Sequence, residues 1–182
     1  LTYERIDAGM KFGVVNTPEF RKMNPNGLVP VIEDEGAVIW ESNAIVRYLG
    51  AKYGKGTLWV EDAAARAQSD KWMDWCATVY WPPMRTIFWG LVRTPPEKRN
   101  LEEIEAARMK AGEILKILDA ALADRDFIAG TDLTIGDIPL GCISWRWFGI
   151  DMERPSRPNV EAWFQRLSRR EAFRNSVMLP LS

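Results

Sequence analysis

The spacing of apolar residues changes character once along the chain. Up to about residue 56 it mixes periods. Thr2-Tyr3-Glu4-Arg5-Ile6 alternates side chains and predicts a strand. Thr17-Pro18-Glu19 opens a short helix, with a hydroxyl cap followed by Pro at the first helical position. That helix ends near Asn24-Pro25, because the residue before a proline disfavours helical backbone. Val29 to Glu33 and Ala37 to Trp40 form a predicted hairpin around the turn Asp34-Glu35-Gly36. Ser42 is expected to cap a helix from Asn43 to about Tyr53, with Ala44, Ile45, Tyr48 and Leu49 on one face. Gly54-Lys55-Gly56 closes it.

After residues 57–62, which look like a linker, only helical periods remain. One helix runs from about Ala63 towards Trp89, with an expected kink at Pro82-Pro83. Its residues Trp72, Met73, Cys76, Val79 and Tyr80 share a face that core packing explains. Trp81, Arg85, Phe88 and Trp89 fall off that face. Pro95-Pro96 interrupts the chain. A second helix, Leu101 to Leu122, carries the stripe Leu101, Ile104, Ala111, Leu115, Leu118 and Leu122, read as its core side. Further helices start at Thr134, after Arg157-Pro158 and after Glu171. The organisation is therefore a small mixed domain, 1–56, a linker, 57–62, and an all-helical domain, 63–182.

Composition mainly removes possibilities. The chain has 24 basic and 25 acidic side chains, so nothing marks a nucleic-acid binder. No apolar run approaches the ~18 residues of a membrane helix, and no signal peptide is visible. There is no histidine, which removes His-based triads and His-ligated zinc together. The only two cysteines, Cys76 and Cys142, read as buried free thiols of a reducing cytoplasm, and no metal site is expected. Leu1 opens the chain within an apparent strand, so the natural N-terminus is expected upstream.

Three short stretches carry the chemistry. Asn24-Pro25-Asn26-Gly27-Leu28-Val29-Pro30-Val31-Ile32 places a proline where a strand begins, leaving the backbone of Val29 unpaired; a plain turn into an edge strand would read the same. In Trp40-Glu41-Ser42-Asn43-Ala44-Ile45, a helix N-terminus that attracts carboxylates stands beside Glu41, an acceptor for an ammonium. That pairing suits a zwitterionic amino-acid head group, although simple capping produces the same pattern. In Leu133-Thr134-Ile135-Gly136-Asp137-Ile138, Thr134 and Asp137 have the spacing of a capping box, a structural role.

In this order and spacing, and together with Gly90-Leu91-Val92-Arg93-Thr94-Pro95-Pro96-Glu97, these stretches resemble a bacterial branch of the glutathione S-transferase superfamily over essentially the whole chain. The resemblance implies an α/β thioredoxin-like N-terminal domain, incomplete here by its first strand and helix, followed by an all-α domain, usually in a homodimer. It implies glutathione as co-substrate, with a backbone pairing from Val29 beside a cis Pro30. Glu41 and Ser42 would hold the γ-glutamyl amine and carboxylate, and Asn26 would border the peptide. Gly27 stands where some relatives place a polar group for the glycine carboxylate, with Lys11 or Arg21 as substitute. The thiol-activating residue is expected upstream of Leu1. Trp81, Arg85, Phe88 and Trp89 become candidates for an acceptor pocket for small hydrophobic electrophiles, unless they serve an interface. The implied reaction is thiolate attack on such an electrophile. Rival readings are a glutathione-dependent disulfide oxidoreductase and a non-catalytic binding or assembly module.

Overall fold

Two prolines, an Asx-type loop and a tight turn set the layout of the first fifty residues. The computed structural model describes residues 1–182 and divides them into two units, Leu1–Tyr53 and Gly54–Ser182. In the first, helix α1 spans Pro18–Met23, and the Thr17 hydroxyl accepts the Phe20 N–H at 3.2 Å. Strands β1 (Val31–Asp34) and β2 (Ala37–Trp40) pair antiparallel, from Val31 opposite Trp40 to Asp34 opposite Ala37. Glu35 and Gly36 both take positive φ, 51° and 82°. That backbone matches the twist of a two-residue hairpin, and the glycine adopts it without steric cost. Helix α2 (Ser42–Tyr53) follows. Its far end is tied to the hairpin turn by Lys52 and Tyr48, which both donate to Asp34 at 2.9 Å. The family-type fold expected from the sequence, a small sheet unit followed by a helical one, is present.

Three details of the first unit differ from expectation. Residues 1–6 form no strand, and Leu1, Tyr3 and Ile6 are each about four-fifths exposed. Alternation tells which side each residue faces, but a strand also needs a partner ladder, and the sheet here has only two strands. Ala44 is exposed while Ile45 anchors α2. Ser42 is the first residue of α2 rather than its flanking cap.

The second unit is all-helical. Helix α3 (Ala63–Trp75) is capped by Asp62, whose carboxylate accepts the Ala65 N–H at 2.8 Å. As expected of one helix running from Ala63 towards Trp89, helical backbone does not stop at Pro82-Pro83 but continues through a π-turn (Cys76–Tyr80), helix α4 (Trp81–Phe88) and a second π-turn (Trp89–Arg93). The wider turn ahead of the prolines lets the chain absorb their missing N–H groups without stopping. Helix α5 (Leu101–Ala121) begins at the Asn100 cap. Helices α6 (Asp137–Gly149), α7 (Pro158–Ser168) and α8 (Glu171–Ser176) complete the unit.

One core joins α3 to α7. Trp72, Cys76, Tyr80, Met84, Ile87 and Phe88 meet Ala111, Leu115 and Leu118 of α5, Leu140 and Trp147 of α6, and Trp163 of α7. From the expected stripes two residues drop out: Leu101 is 67% exposed and Val79 37%. Leu101 lies in the first turn of α5, beyond its contact with α4. Val79 sits inside the π-turn, where the extra residue rotates the face away from the core. Where α6 approaches α3 the backbones nearly touch: a Cβ on Gly136 would lie 2.9 Å from the Ser69 carbonyl oxygen.

Asp137 is the polar centre of this unit. It is fully buried, and its carboxylate accepts four bonds: from Ile128 N (2.9 Å), Trp163 Nε1 (2.8 Å), Thr134 N (3.0 Å) and the Thr134 hydroxyl (3.2 Å). Burial pushes its pKa up against the pull of these donors. Asp137 reaches back to the Thr134 N–H, but the Thr134 hydroxyl makes no cap. It bonds Ser69 Oγ at 2.9 Å instead, because α6 begins only at Asp137.

Candidate ligand site

The site grows from a buried asparagine that the sequence reading passed over. Asn24, 3% exposed, donates from Nδ2 to the Leu28 carbonyl at 2.7 Å. Its Oδ1 accepts the Asn26 backbone N–H and the Asn26 side-chain amide, both at 3.1 Å. Its own carbonyl accepts the Gly27 N–H at 3.0 Å. Four bonds on one residue fix the loop 24–28, which delivers the chain to β1. The signal was present as Asn-Pro followed by Gly, the composition of an Asx turn.

Gly27 has φ 64°, and a side chain there would also collide with Arg21, whose Nη2 lies 2.9 Å from the position of a Cβ. Arg21 is committed to this loop. Its guanidinium donates to the Pro25 carbonyl at 2.9 Å and to Asn16 Oδ1 at 2.8 Å. It braces the loop from below, and its fork is largely spent. Lys11 lies in a 3-10 turn, Met10–Phe12, with its ammonium over the Phe12 ring at 5.1 Å. Asn26 is exposed on the loop, its amide turned to Asn24.

The loop ends at Val29, joined to Pro30 by a cis bond. The ladder starts only at Val31, so Val29 stands beyond it, 53% exposed, with no backbone hydrogen bond. A bare N–H and C=O at the mouth of a sheet invite another extended chain. Glu41 and Ser42 come off the other strand at the same end, directly after Trp40, the partner of Val31. Glu41 has φ 70°, a left-handed conformation costing a non-glycine residue about 1–3 kcal/mol. That turn ends β2 and starts α2 within one residue. Both side chains are exposed. The Glu41 carboxylate pairs with no cation, and the Ser42 hydroxyl makes no hydrogen bond within the protein. The N-terminal amides of α2 add partial positive charge beside Ser42. One end of the hairpin thus gathers a backbone pairing edge, an anion-favouring helix start and a carboxylate.

In the helical unit, Trp81, Arg85 and Trp89 line one groove of about 510 Å³ with Pro82, Thr86, Lys98 and others. Their spacing of four runs down one side of α4 and into the first residue of the π-turn that follows. Phe88 does not join them. It is 5% exposed and packs in the core, since it lies one residue out of that phase. Two arginines missed by the sequence reading cover it. The Arg93 guanidinium lies 5.0 Å from the Phe88 ring centre and 4.7 Å from that of Trp89. Arg146 of α6 lies 5.2 Å from Phe88 and 5.5 Å from Trp81. Cys76 is buried and Cys142 half-buried, both unpaired. Burial raises both thiol pKa values, so neither is primed as a nucleophile. No cluster of His, Cys, Asp or Glu fit for a metal ion is present, and no helix is long and apolar enough to cross a membrane.

The whole chain is similar to known proteins. Residues 1–51 match the glutathione S-transferase N-terminal domain and residues 80–171 the C-terminal domain. Glutathione S-transferase GstB of Escherichia coli K12 is 42% identical over 184 aligned positions, covering all of this chain and 88% of that protein. A probable elongation factor 1-gamma of Arabidopsis thaliana is 32% identical over 92% of this chain but only 41% of its own length. Among solved structures, the theta class glutathione S-transferase of Xanthomonas axonopodis pv. citri, with glutathione bound, superimposes with a TM-score of 0.97 at 43% identity. That match covers all of this chain and 87% of the other.

Proposed function

The chain belongs to the glutathione S-transferase family, and from that premise we propose that it transfers the glutathione thiolate to small electrophiles. The observation that carries this reading is the open end of the hairpin, where Val29, Glu41 and Ser42 converge with their polar groups unspent. Glutathione offers matching chemistry. The backbone of its cysteinyl residue pairs with Val29 beside Pro30, as a third chain would. Its γ-glutamyl carboxylate meets the start of α2 and the Ser42 hydroxyl, and its ammonium meets Glu41. Asn26 borders the peptide. Arg21 serves the loop rather than the glycine carboxylate, which leaves Lys11 as the candidate for that contact.

Bound in this way, the tripeptide presents its thiol at a fixed position. The thiolate then attacks the electrophilic carbon, forming C–S as the leaving group departs with the bonding electrons. The thiol-activating donor is assigned to no residue of this chain. The acceptor lies along Trp81, Arg85 and Trp89, with Phe88 as the buried layer behind them. Neither of the chain's own cysteines supports a disulfide-exchange role, since burial keeps both protonated. The proposal extends to a cytoplasmic homodimer acting in detoxification, its stoichiometry to be read by light scattering.

Calorimetric titration with glutathione tests the reading directly. Saturable binding is expected, weakened by Glu41→Gln and Ser42→Ala. Absence of heat at millimolar glutathione, or binding indifferent to both substitutions, overturns it.

A further inference from the structure

Resting on the glutathione reading, we infer that Val14 is a positioning residue: its left-handed backbone carries Met10, Lys11 and Phe12 to the glycine end of the bound tripeptide. It thereby sets a preference for glutathione over the dipeptide γ-glutamylcysteine. Val14 has φ 59°, and the Val15 N–H donates across it to the Gly13 carbonyl at 2.9 Å. A three-residue turn with positive φ at its centre is the rare, strained form. A β-branched residue is an outlier in that region. The Val14 side chain is 48% exposed, so no core packing holds it there. Backbone bonds hold it instead. The Gly9 N–H donates to the Gly13 carbonyl at 2.8 Å and closes the loop 9–13, the Phe12 N–H donates to the Gly9 carbonyl at 2.9 Å, and the Thr17 N–H donates to the Val14 carbonyl at 2.9 Å.

The base of this loop stands against the ligand edge. A Cβ on Gly9 would lie 3.7 Å from Val15 Cγ1 and 3.8 Å from Val29 Cγ2, and one on Gly27 would lie 3.0 Å from the Val15 carbonyl oxygen. Val15 therefore sits between Gly9 and the loop 24–28, next to the bare backbone of Val29. Past Val14 the chain is tied to the same loop, because Asn16 accepts from Arg21 and Arg21 donates to the Pro25 carbonyl. With both ends fixed, the turn at Val14 decides where the tip lies. The tip itself is open. Met10 is 75% exposed and Phe12 50%, and the Lys11 ammonium lies 5.1 Å from the Phe12 ring centre with no carboxylate in ion-pair reach. Strain of this kind persists where its surroundings over-determine it, and it collects at ligand clamps. Here no core contact requires it, and its consequence is the placement of one cation beside a pairing edge. If Val14 relaxed to negative φ, the tip would swing away and take Lys11 with it.

Two substitutions at position 14 separate the backbone from the side chain. Val14→Gly permits positive φ without steric cost. Val14→Pro fixes φ at about −65° and removes only an N–H that makes no bond within the protein. Calorimetric titration gives the affinity of each protein for glutathione and for γ-glutamylcysteine, which lacks the glycine. The wild type is expected to prefer glutathione by roughly 10-fold or more, the scale of one hydrogen bond to a charged group. Val14→Gly should keep or widen that ratio. Val14→Pro should bring it close to one while its affinity for the dipeptide stays that of the wild type. Should Val14→Pro fail to fold, Gly13→Ala carries the same expectation, since Gly13 has φ 67° and ψ −136° and its Cβ would meet nothing within 4 Å. A wild-type ratio near one overturns the inference and leaves the glutathione reading standing. So does loss of the ratio in Val14→Gly, or a folded Val14→Pro that keeps the ratio or weakens both peptides alike. Binding of neither peptide by the wild type overturns the glutathione reading, and this inference with it.

Discussion

Removing the carboxylate of Asp137 should destabilise the helical unit more than any other single polar change. In Asp137→Ala, three buried N–H groups lose their acceptor: Ile128 N, Thr134 N and Trp163 Nε1. The Thr134 hydroxyl can still turn to Ser69. An orphaned buried donor costs about 1–3 kcal/mol, so three give roughly 3–9 kcal/mol. Part is returned because the substitution also removes a carboxylate whose burial is unfavourable. We therefore expect about 3–5 kcal/mol, the range for breaking a buried charge network. Against a typical total of about 5–15 kcal/mol, that leaves a marginal fold. Asp137→Asn keeps one oxygen for Ile128 and Trp163 but points an amide at the Thr134 N–H, and should cost about 1–3 kcal/mol. Urea unfolding followed by tryptophan emission reads this unit, since Trp72, Trp147 and Trp163 are buried in it. The pH dependence carries a sign. The folded pKa of Asp137 is raised, so its contribution is full below about 3.9, the unfolded value, and is lost as pH rises through the folded value. Relative to Asp137→Asn, the wild type should lose stability as pH rises from about 4. An Asp137→Ala midpoint within about 0.5 kcal/mol of wild type would refute the accounting.

Three further outcomes follow from the geometry. Ser42→Ala should weaken glutathione binding by about 1.5–3 kcal/mol with little change in melting, because its hydroxyl has no partner within the protein; a lowered melting point with unchanged affinity would make it a cap after all. Gly136→Ala should cost about 1–3 kcal/mol in denaturant, since its Cβ would meet the Ser69 backbone oxygen at 2.9 Å and must push α6 off α3; an unmoved midpoint would show that the helices part freely. In the first unit the Lys52 ammonium holds the Asp34 pKa below its ordinary value, so that contribution is present at neutral pH and lost as pH falls through the lowered value. Acid titration of circular dichroism should show a shallower fall in Lys52→Met, and identical profiles would dismiss the Asp34–Lys52 pair as a stabilising contact.

What could be read from the sequence divides by the range of the physics involved. The hairpin, α1 and the helix starts rest on residues acting on their nearest neighbours: Thr17 before Pro18, Gly36 in its turn, Asn100 before α5. Such effects leave marks in a few letters. Residues 1–6 misled because alternation is also local, whereas a strand exists only if a second chain segment lies alongside it. Pro82-Pro83 marked an irregularity inside one long helix, but its form, a π-turn just ahead of the prolines, depends on the packing of α4 against α5 and α6. At the ligand site, the positions of Val29, Glu41 and Ser42 could be named, but the bracing beneath them could not. Whether an arginine at position 21 faces a ligand or its own loop depends on where the Pro25 carbonyl points. Arg93 and Arg146 were hidden for the same reason. Each looks like an ordinary polar position in its own stretch, and their contacts with the Phe88 ring appear only when α6 brings Arg146 over it. Tertiary placement of charge leaves almost no trace in local spacing, so these ring–guanidinium contacts are where the sequence was least informative.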